Sequence, residues 1–383
     1  MPGLQLGDKG KTNRFTEGSM GKLHEVLEHG QSIWLDYIRR EYIKSGKLKK
    51  MIKEGIRGVT SNPTIFEKAI AGSDDYDAQL KEQADSGADV DQIYEALVIE
   101  DIRKAADVLR RVWRSSKGVD GYVSLEVSPE LAYKTKPTIH EAIRLYNTVG
   151  KPNLMIKVPA TDEGFSAITT LISSGVNVNA TLIFSVRHYE AVAWSYVTGL
   201  EEFLKNGGDL RKVASVASVF VSRVDTVVDK ELEKRGEDEL KGKIALANAK
   251  ACVKVFNRVF SGERWEILEA NGAKVQRLLW ASTGTKNPAY PDTMYVDSLI
   301  GSNSVNTIPP ATLEAFLDHG NVASRMDSEL ELAEKQLESL AKLRVDLELI
   351  TEQLQIDGVD AFIESFRSLK KTIEEKTRNL SSR

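Results

Sequence analysis

The stretch "NLMIKVPAT", residues 153–161, poses the first structural problem. Leu154, Met155, Ile156 and Val158 make a short continuous apolar run, the pattern of a strand buried on both faces. Lys157 stands in its middle. A buried ammonium is costly unless it is paired or gives up its charge. Snorkelling to solvent needs a nearby water boundary, which the middle of such a strand lacks. The residue therefore requires either an ion-pair partner or a chemical use.

Seven further strand-like runs flank it. "SIWLDYI" (32–38), "RGVTSNP" (57–63) and "GYVSLEVSP" (121–129) precede it. "VNVNATLIFS" (176–185), "VASVASVFVSRVD" (213–225), "KVQRLLWAST" (274–283) and "TMYVDSLIG" (293–301) follow. A helix or a longer connection separates each from the next; two of the helices, "TIHEAIRLYNTVG" and "EGFSAITTLISSG", end in glycine. Repeated βα units imply a parallel sheet. Eight of them match a closed (β/α)8 TIM barrel, an α/β fold. An open doubly wound sheet is the competitor, but no GxGxxG follows the first strand.

Residues 21–383 are accordingly expected to form a single barrel domain with a C-terminal helical extension from about 326. That tail is read as helices packed on the barrel. Its apolar spacing does not hold the strict heptad of a coiled coil. The first 20 residues are polar and Gly-rich, and are expected to be a disordered leader or an added remnant with the native start near Met20.

Composition narrows the function classes. A hydrophobic fraction of 41% and a charged fraction of 28% are those of a globular protein. A net charge of −4 gives no reason to expect nucleic-acid or acidic-membrane binding. No run is long and apolar enough to be a membrane span. The single cysteine, Cys252, rules out a disulfide within the chain and reads as a buried, inert thiol. No Cys/His cluster suggests a metal site. These features fit a cytoplasmic enzyme.

In a barrel of this kind, chemistry belongs at the carboxyl ends of the strands. The polar residues there are Asp36, Thr60, Asn62, Glu126, Lys157, Asn179, Thr181, Ser218, Arg223 and, just after the seventh strand, Lys286. Each has a plain structural alternative. Asp36 could cap a helix, Asn62-Pro63 could form a turn, and Arg223 could pair with Asp225. Glu126 could serve only as an ion-pair partner for Lys157. His140 and His188 read as surface or packing residues.

Taken together, the residues describe a chemistry. A desolvated, neutral lysine attacks a ketone and gives a Schiff base. The protonated imine is an electron sink that lets the neighbouring carbon–carbon bond break without a metal or cofactor. Asp36 and Glu126 can divide the base and acid roles. Asn62 and Asn179 can hold sugar hydroxyls. Arg223, Ser218 and Lys286 suit a phosphate, with arginine supplying the planar fork.

"GVTSNPTIF" (58–66) and "LMIKVPATDEG" (154–164) closely resemble the two signature segments of transaldolases. The other strand segments also resemble that family's, in its order, over about residues 30–320. The "WASTGTKNPAYPDTMYVDSLIGSNSVNTIPP" region is most similar to the longer bacterial and plant-type branch.

The resemblance implies transfer of a dihydroxyacetone unit from sedoheptulose 7-phosphate to glyceraldehyde 3-phosphate, in the non-oxidative pentose phosphate pathway. It implies Lys157 as the Schiff-base lysine, with Asp36 handling the donor C4 hydroxyl proton. Glu126 and Thr181 would position the catalytic water. Thr60, Asn62 and Asn179 would bind the donor, and Ser218 and Arg223 the phosphate. Lys286 stands where arginine is common, keeping the charge but losing the bidentate fork. Sugar phosphates are thus the expected ligands, and the chain is expected to be a monomer or homodimer. Two other readings stay open: an aldolase that releases free dihydroxyacetone, and a non-catalytic sugar-phosphate binding protein.

Overall fold

A computed structural model describes residues 20–381. Residues 1–19, where the leader is expected, lie outside the described residues. Eight parallel strands close in sequence order into a barrel: β1 (Gln31–Leu35), β2 (Gly58–Val59), β3 (Val123–Glu126), β4 (Leu154–Pro159), β5 (Val178–Ile183), β6 (Ser215–Phe220), β7 (Arg277–Ala281) and β8 (Ser304–Ile308). β8 pairs back onto β1 over all five residues, from Gln31 opposite Ser304 to Leu35 opposite Ile308.

Every strand residue is buried, as expected where helices cover the outside and side chains fill the inside. β2 has only two residues, and Gly58 is there for space: a Cβ would sit 2.5 Å from the Trp34 indole. The turns after the strands carry helix caps. Asn62 accepts from Ile65 N–H, Thr161 from Gly164 N–H and Ser185 from His188 N–H, so the helices at Pro63, Asp162 and Val186 start directly above their strands.

The eighth strand lies elsewhere than "TMYVDSLIG" suggests. Met294–Ser298 is a short helix, and the strand is "SVNTI" ten residues downstream. The buried residues Tyr295, Val296, Leu299 and Ile300 recur at helical spacing, which their strand-like composition conceals. Conversely, Ser304 and Asn306 make the true strand look too polar, because on the face opposite Thr307 they are buried beside Gln31 and Thr283, which hydrogen-bond them. The sixth strand also ends early, at Phe220. Arg223 lies in the first turn of the Ser222–Lys234 helix, not on a strand.

The tail folds as two helices, Leu330–Lys342 and Leu347–Ser381. The second crosses the carboxyl end of the barrel. Its Gln355 Nε2 donates to the carbonyls of Ala160 (2.8 Å) and Leu182 (3.0 Å), at the tops of β4 and β5. Farther along, Ser365 accepts from Thr64, and Lys376 donates to Ile70 and Ser73 carbonyls and pairs with Asp77, tying it to the helices after β2. No helix among the described residues is long and apolar enough to cross a membrane.

Candidate active site

Lys157 is 6% exposed, and its ammonium has specific partners. Nζ donates to the Ser61 carbonyl at 3.1 Å and to Glu126 Oε2 at 3.2 Å. The strands explain the second contact, because Glu126 of β3 is in register with Lys157 of β4, which is in register with Asn179 of β5. Removing two charges from water costs several kcal/mol per ion, which mutual attraction offsets only with good geometry. The ion pair expected as the structural alternative is therefore present. It leaves Glu126 Oε1 buried and without a hydrogen bond among the described residues.

Asp36 follows β1 and caps no helix. The next helix, Arg40–Lys44, starts at Arg39 with no side-chain cap. Instead Asp36 Oδ1 accepts from Thr60 Oγ1 at 2.7 Å, and Thr60 in turn lies 2.7 Å from Thr307 Oγ1. Burial pushes the Asp36 carboxyl above its ordinary value, opposed by the Thr60 hydrogen bond and the Lys157 charge. Burial likewise raises Glu126, opposed by Lys157 and reinforced by the charge of Asp36. One ammonium thus acts on two carboxyl groups, both raised by burial.

Asn179 is held on both sides: Nδ2 donates to Ser124 Oγ (3.1 Å) and Oδ1 accepts from Ser218 (2.7 Å). Ser218 therefore belongs by hydrogen bonding to the Asn179 group. Thr181 is buried with its hydroxyl unpartnered among the described residues. Asn62 uses its carbonyl oxygen for the cap at Ile65.

Arg223 is half-buried, lies 5.4 Å over the Phe220 ring, and has no anionic partner within 4 Å among the described residues. It does not pair with Asp225, which accepts from Ala245 N–H and Tyr295 O–H. A partly desolvated guanidinium at a helix amino terminus is suited to an anion. Lys286 is exposed in the loop after β7. His140 is exposed and His188 is buried, within 3.3 Å of Gln355. Cys252 is buried and free, its thiol pushed up by burial. No cluster of three metal-ligating side chains occurs among the described residues.

Sequence reasoning missed several groups. Thr307 escapes it because the apolar run at 293–301 draws the eighth strand away from it; "SVNTI" read as a strand would have placed it near the carboxyl end, beside Thr60. The neighbouring Asn306 faces the other way, accepting from Thr283. The Ser61 carbonyl leaves no mark in a sequence. Phe362 of the C-terminal helix has its ring centroid 5.6 Å from Lys157 Nζ, a contact spanning about 200 residues that no local pattern reveals.

Residues 33–373 match the family model described as Transaldolase/Fructose-6-phosphate aldolase. A transaldolase of Trichodesmium erythraeum is 48% identical over 94% of this chain and 98% of its own. One of Saccharopolyspora erythraea is 46% identical over 92% and 97%, and one of Thiobacillus denitrificans 47% over 90% and 97%.

Proposed function

The chain belongs to the transaldolase/fructose-6-phosphate aldolase family, and from that premise we propose the part each site residue plays. The chain is an enzyme, a transferase. It moves a dihydroxyacetone unit from sedoheptulose 7-phosphate to glyceraldehyde 3-phosphate through a lysine Schiff base, yielding erythrose 4-phosphate and fructose 6-phosphate. The observation that carries the assignment of roles is the buried Lys157–Glu126 pair with half-buried Asp36 nearby, the ammonium acting on both carboxyl groups.

Passing a proton from the ammonium to Glu126 along their 3.2 Å contact leaves a neutral amine and a carboxylic acid. The amine adds to the donor C2 carbonyl. Glu126, with Thr181 orienting the intervening water, protonates the carbinolamine oxygen as it departs. Asp36 removes the C4 hydroxyl proton, the C3–C4 bond breaks, and its electron pair passes into the iminium to give an enamine. The enamine carbon then attacks the acceptor aldehyde, and Asp36 returns its proton to the new alkoxide. Water adds to the iminium carbon, the C–N bond breaks, and Lys157 is freed.

Thr60, Asn62 and Asn179 hold donor hydroxyls. Ser218 acts through Asn179, and Arg223 takes the phosphate with Lys286 at the rim. The reaction is placed in the cytoplasm, in a monomer or homodimer built as a single barrel domain over residues 21–383.

Borohydride reduction in the presence of fructose 6-phosphate tests the lysine. One adduct on Lys157 is expected, seen by peptide mass. An adduct that persists in Lys157→Ala would sink the assignment. Turnover with and without an acceptor aldehyde separates transferase from aldolase: rapid release of dihydroxyacetone without acceptor would favour the latter.

A further inference from the structure

The C-terminal helix places Phe362 against the reacting nitrogen. Its ring is 6% exposed, with its centroid 5.6 Å from Lys157 Nζ. That distance is longer than direct contact, and the excess matches a bonded substrate atom. A carbon attached to Nζ toward the ring, through a C–N bond of about 1.45 Å, would lie roughly 4 Å from the centroid, an ordinary carbon–carbon contact.

The ring is also held in place. Seven residues before it, Gln355 grips the carbonyls above β4 and β5. Three residues after it, Ser365 is bonded to Thr64. Four residues after it, Phe366 packs edge-on against Tyr94, with centroids 5.2 Å apart. Two other sides of Nζ face the Ser61 carbonyl and Glu126.

We propose that Phe362 is a wall of the subsite for the three-carbon unit, packing its apolar face on the carbon bonded to Lys157 and keeping water from it between the two half-reactions. The inference rests on the Schiff-base assignment of Lys157. Premature release of dihydroxyacetone requires a proton on the enamine carbon, then water's oxygen on the imine carbon, with the C–N bond breaking to free the amine. A ring at van der Waals distance blocks the approach of that water, whereas an acceptor aldehyde reaches the enamine carbon one atom away. The C-terminal helix would thus protect the covalent intermediate for transfer.

The test measures two quantities with fructose 6-phosphate as donor: transfer to erythrose 4-phosphate, and release of free dihydroxyacetone without acceptor. In Phe362→Ala the ratio of release to transfer is expected to rise about tenfold, a change of about 1.4 kcal/mol between the two barriers. Phe362→Leu fills part of the space without the flat face, and about a threefold rise is expected, a smaller change on the same scale. It decides the matter if the alanine variant does not fold, as judged by thermal unfolding. A ratio within about twofold of wild type in a folded variant, a barrier change too small to assign to the ring, overturns the proposal. Borohydride trapping separates the two ideas. If wild type forms no adduct on Lys157, the Schiff-base reading itself fails; if wild type and variant trap equally and the ratio is unchanged, only the role of Phe362 fails.

Discussion

Replacing Arg277 by leucine should destabilise the protein strongly and leave its chemistry intact. Arg277 opens β7 at the amino-terminal end of the barrel, opposite the strand ends that carry Lys157. Its guanidinium donates to Asp120 Oδ1 at 2.8 Å, to the Val119 carbonyl at 2.7 Å and to Ser32 Oγ at 2.9 Å. Asp120 also accepts from Ser32 (2.7 Å) and from the Trp34 indole (3.2 Å). The side chains of the pair are only 9% and 7% exposed, so solvent cannot replace a lost partner. Removing one member of a buried pair costs about 3–5 kcal/mol, mostly from the stranded charge. Domain stabilities are typically about 5–15 kcal/mol, so the loss is a large fraction of the total.

Equilibrium urea unfolding should show that loss. The double variant Arg277→Leu/Asp120→Asn should recover at least about half of it. The stranded charge is then gone, while the amide oxygen at that position can still accept from the Trp34 indole, as the carboxylate does. The kcat of the folded fraction should stay within about twofold, since in this fold the amino-terminal face serves stability and the carboxyl face chemistry. A loss under about 1 kcal/mol, or a double variant no more stable than the single one, would contradict the stranded-charge account. A kcat that falls in proportion with stability would contradict the division between the faces.

Asp36→Asn removes the base for C–C cleavage but not the nucleophile. Transfer kcat should fall by about 10²–10⁴ while borohydride still traps a ketose adduct; loss of trapping as well would assign Asp36 to imine formation. Thr60→Val deletes the hydrogen bond that holds Asp36 down. The Asp36 carboxyl then rises further, and because the base must be ionised, the acidic limb of the kcat/KM profile should move to higher pH; a shift to lower pH, or none, would contradict the contact. Arg223→Met removes a guanidinium that no carboxylate among the described residues pairs. KM for phosphorylated donors should rise about 10–100-fold, the loss of a charged hydrogen bond, with unphosphorylated fructose nearly unaffected; equal effects on both would remove Arg223 from the phosphate site.

The architecture and most of the chemical groups are legible in the order of residues alone. Alternation of buried apolar runs with helical segments can be read locally, because each βα unit is short and the barrel closes by repetition. Lys157 stands out for the same reason: a charge within a run buried on both faces has few explanations. Where local pattern and local energetics disagree, distant contacts settle the outcome. "SVNTI" is polar yet forms β8, because Ser304 and Asn306 find Gln31 and Thr283 on one face and Thr307 finds Thr60 on the other. "TMYVDSLIG" has strand-like residues yet forms a helix, because its apolar side chains share one helical face.

The partners of the lysine are equally beyond reading in one dimension. Glu126 meets Lys157 through strand register, Ser61 through a backbone carbonyl, and Phe362 through a helix that returns from the far end of the chain. Which side chain carries the charge is a property of the sequence. How that charge is paired, dried and walled depends on atoms brought together across about 200 positions of chain, and closure of the barrel and the crossing of its last helix are what bring them there.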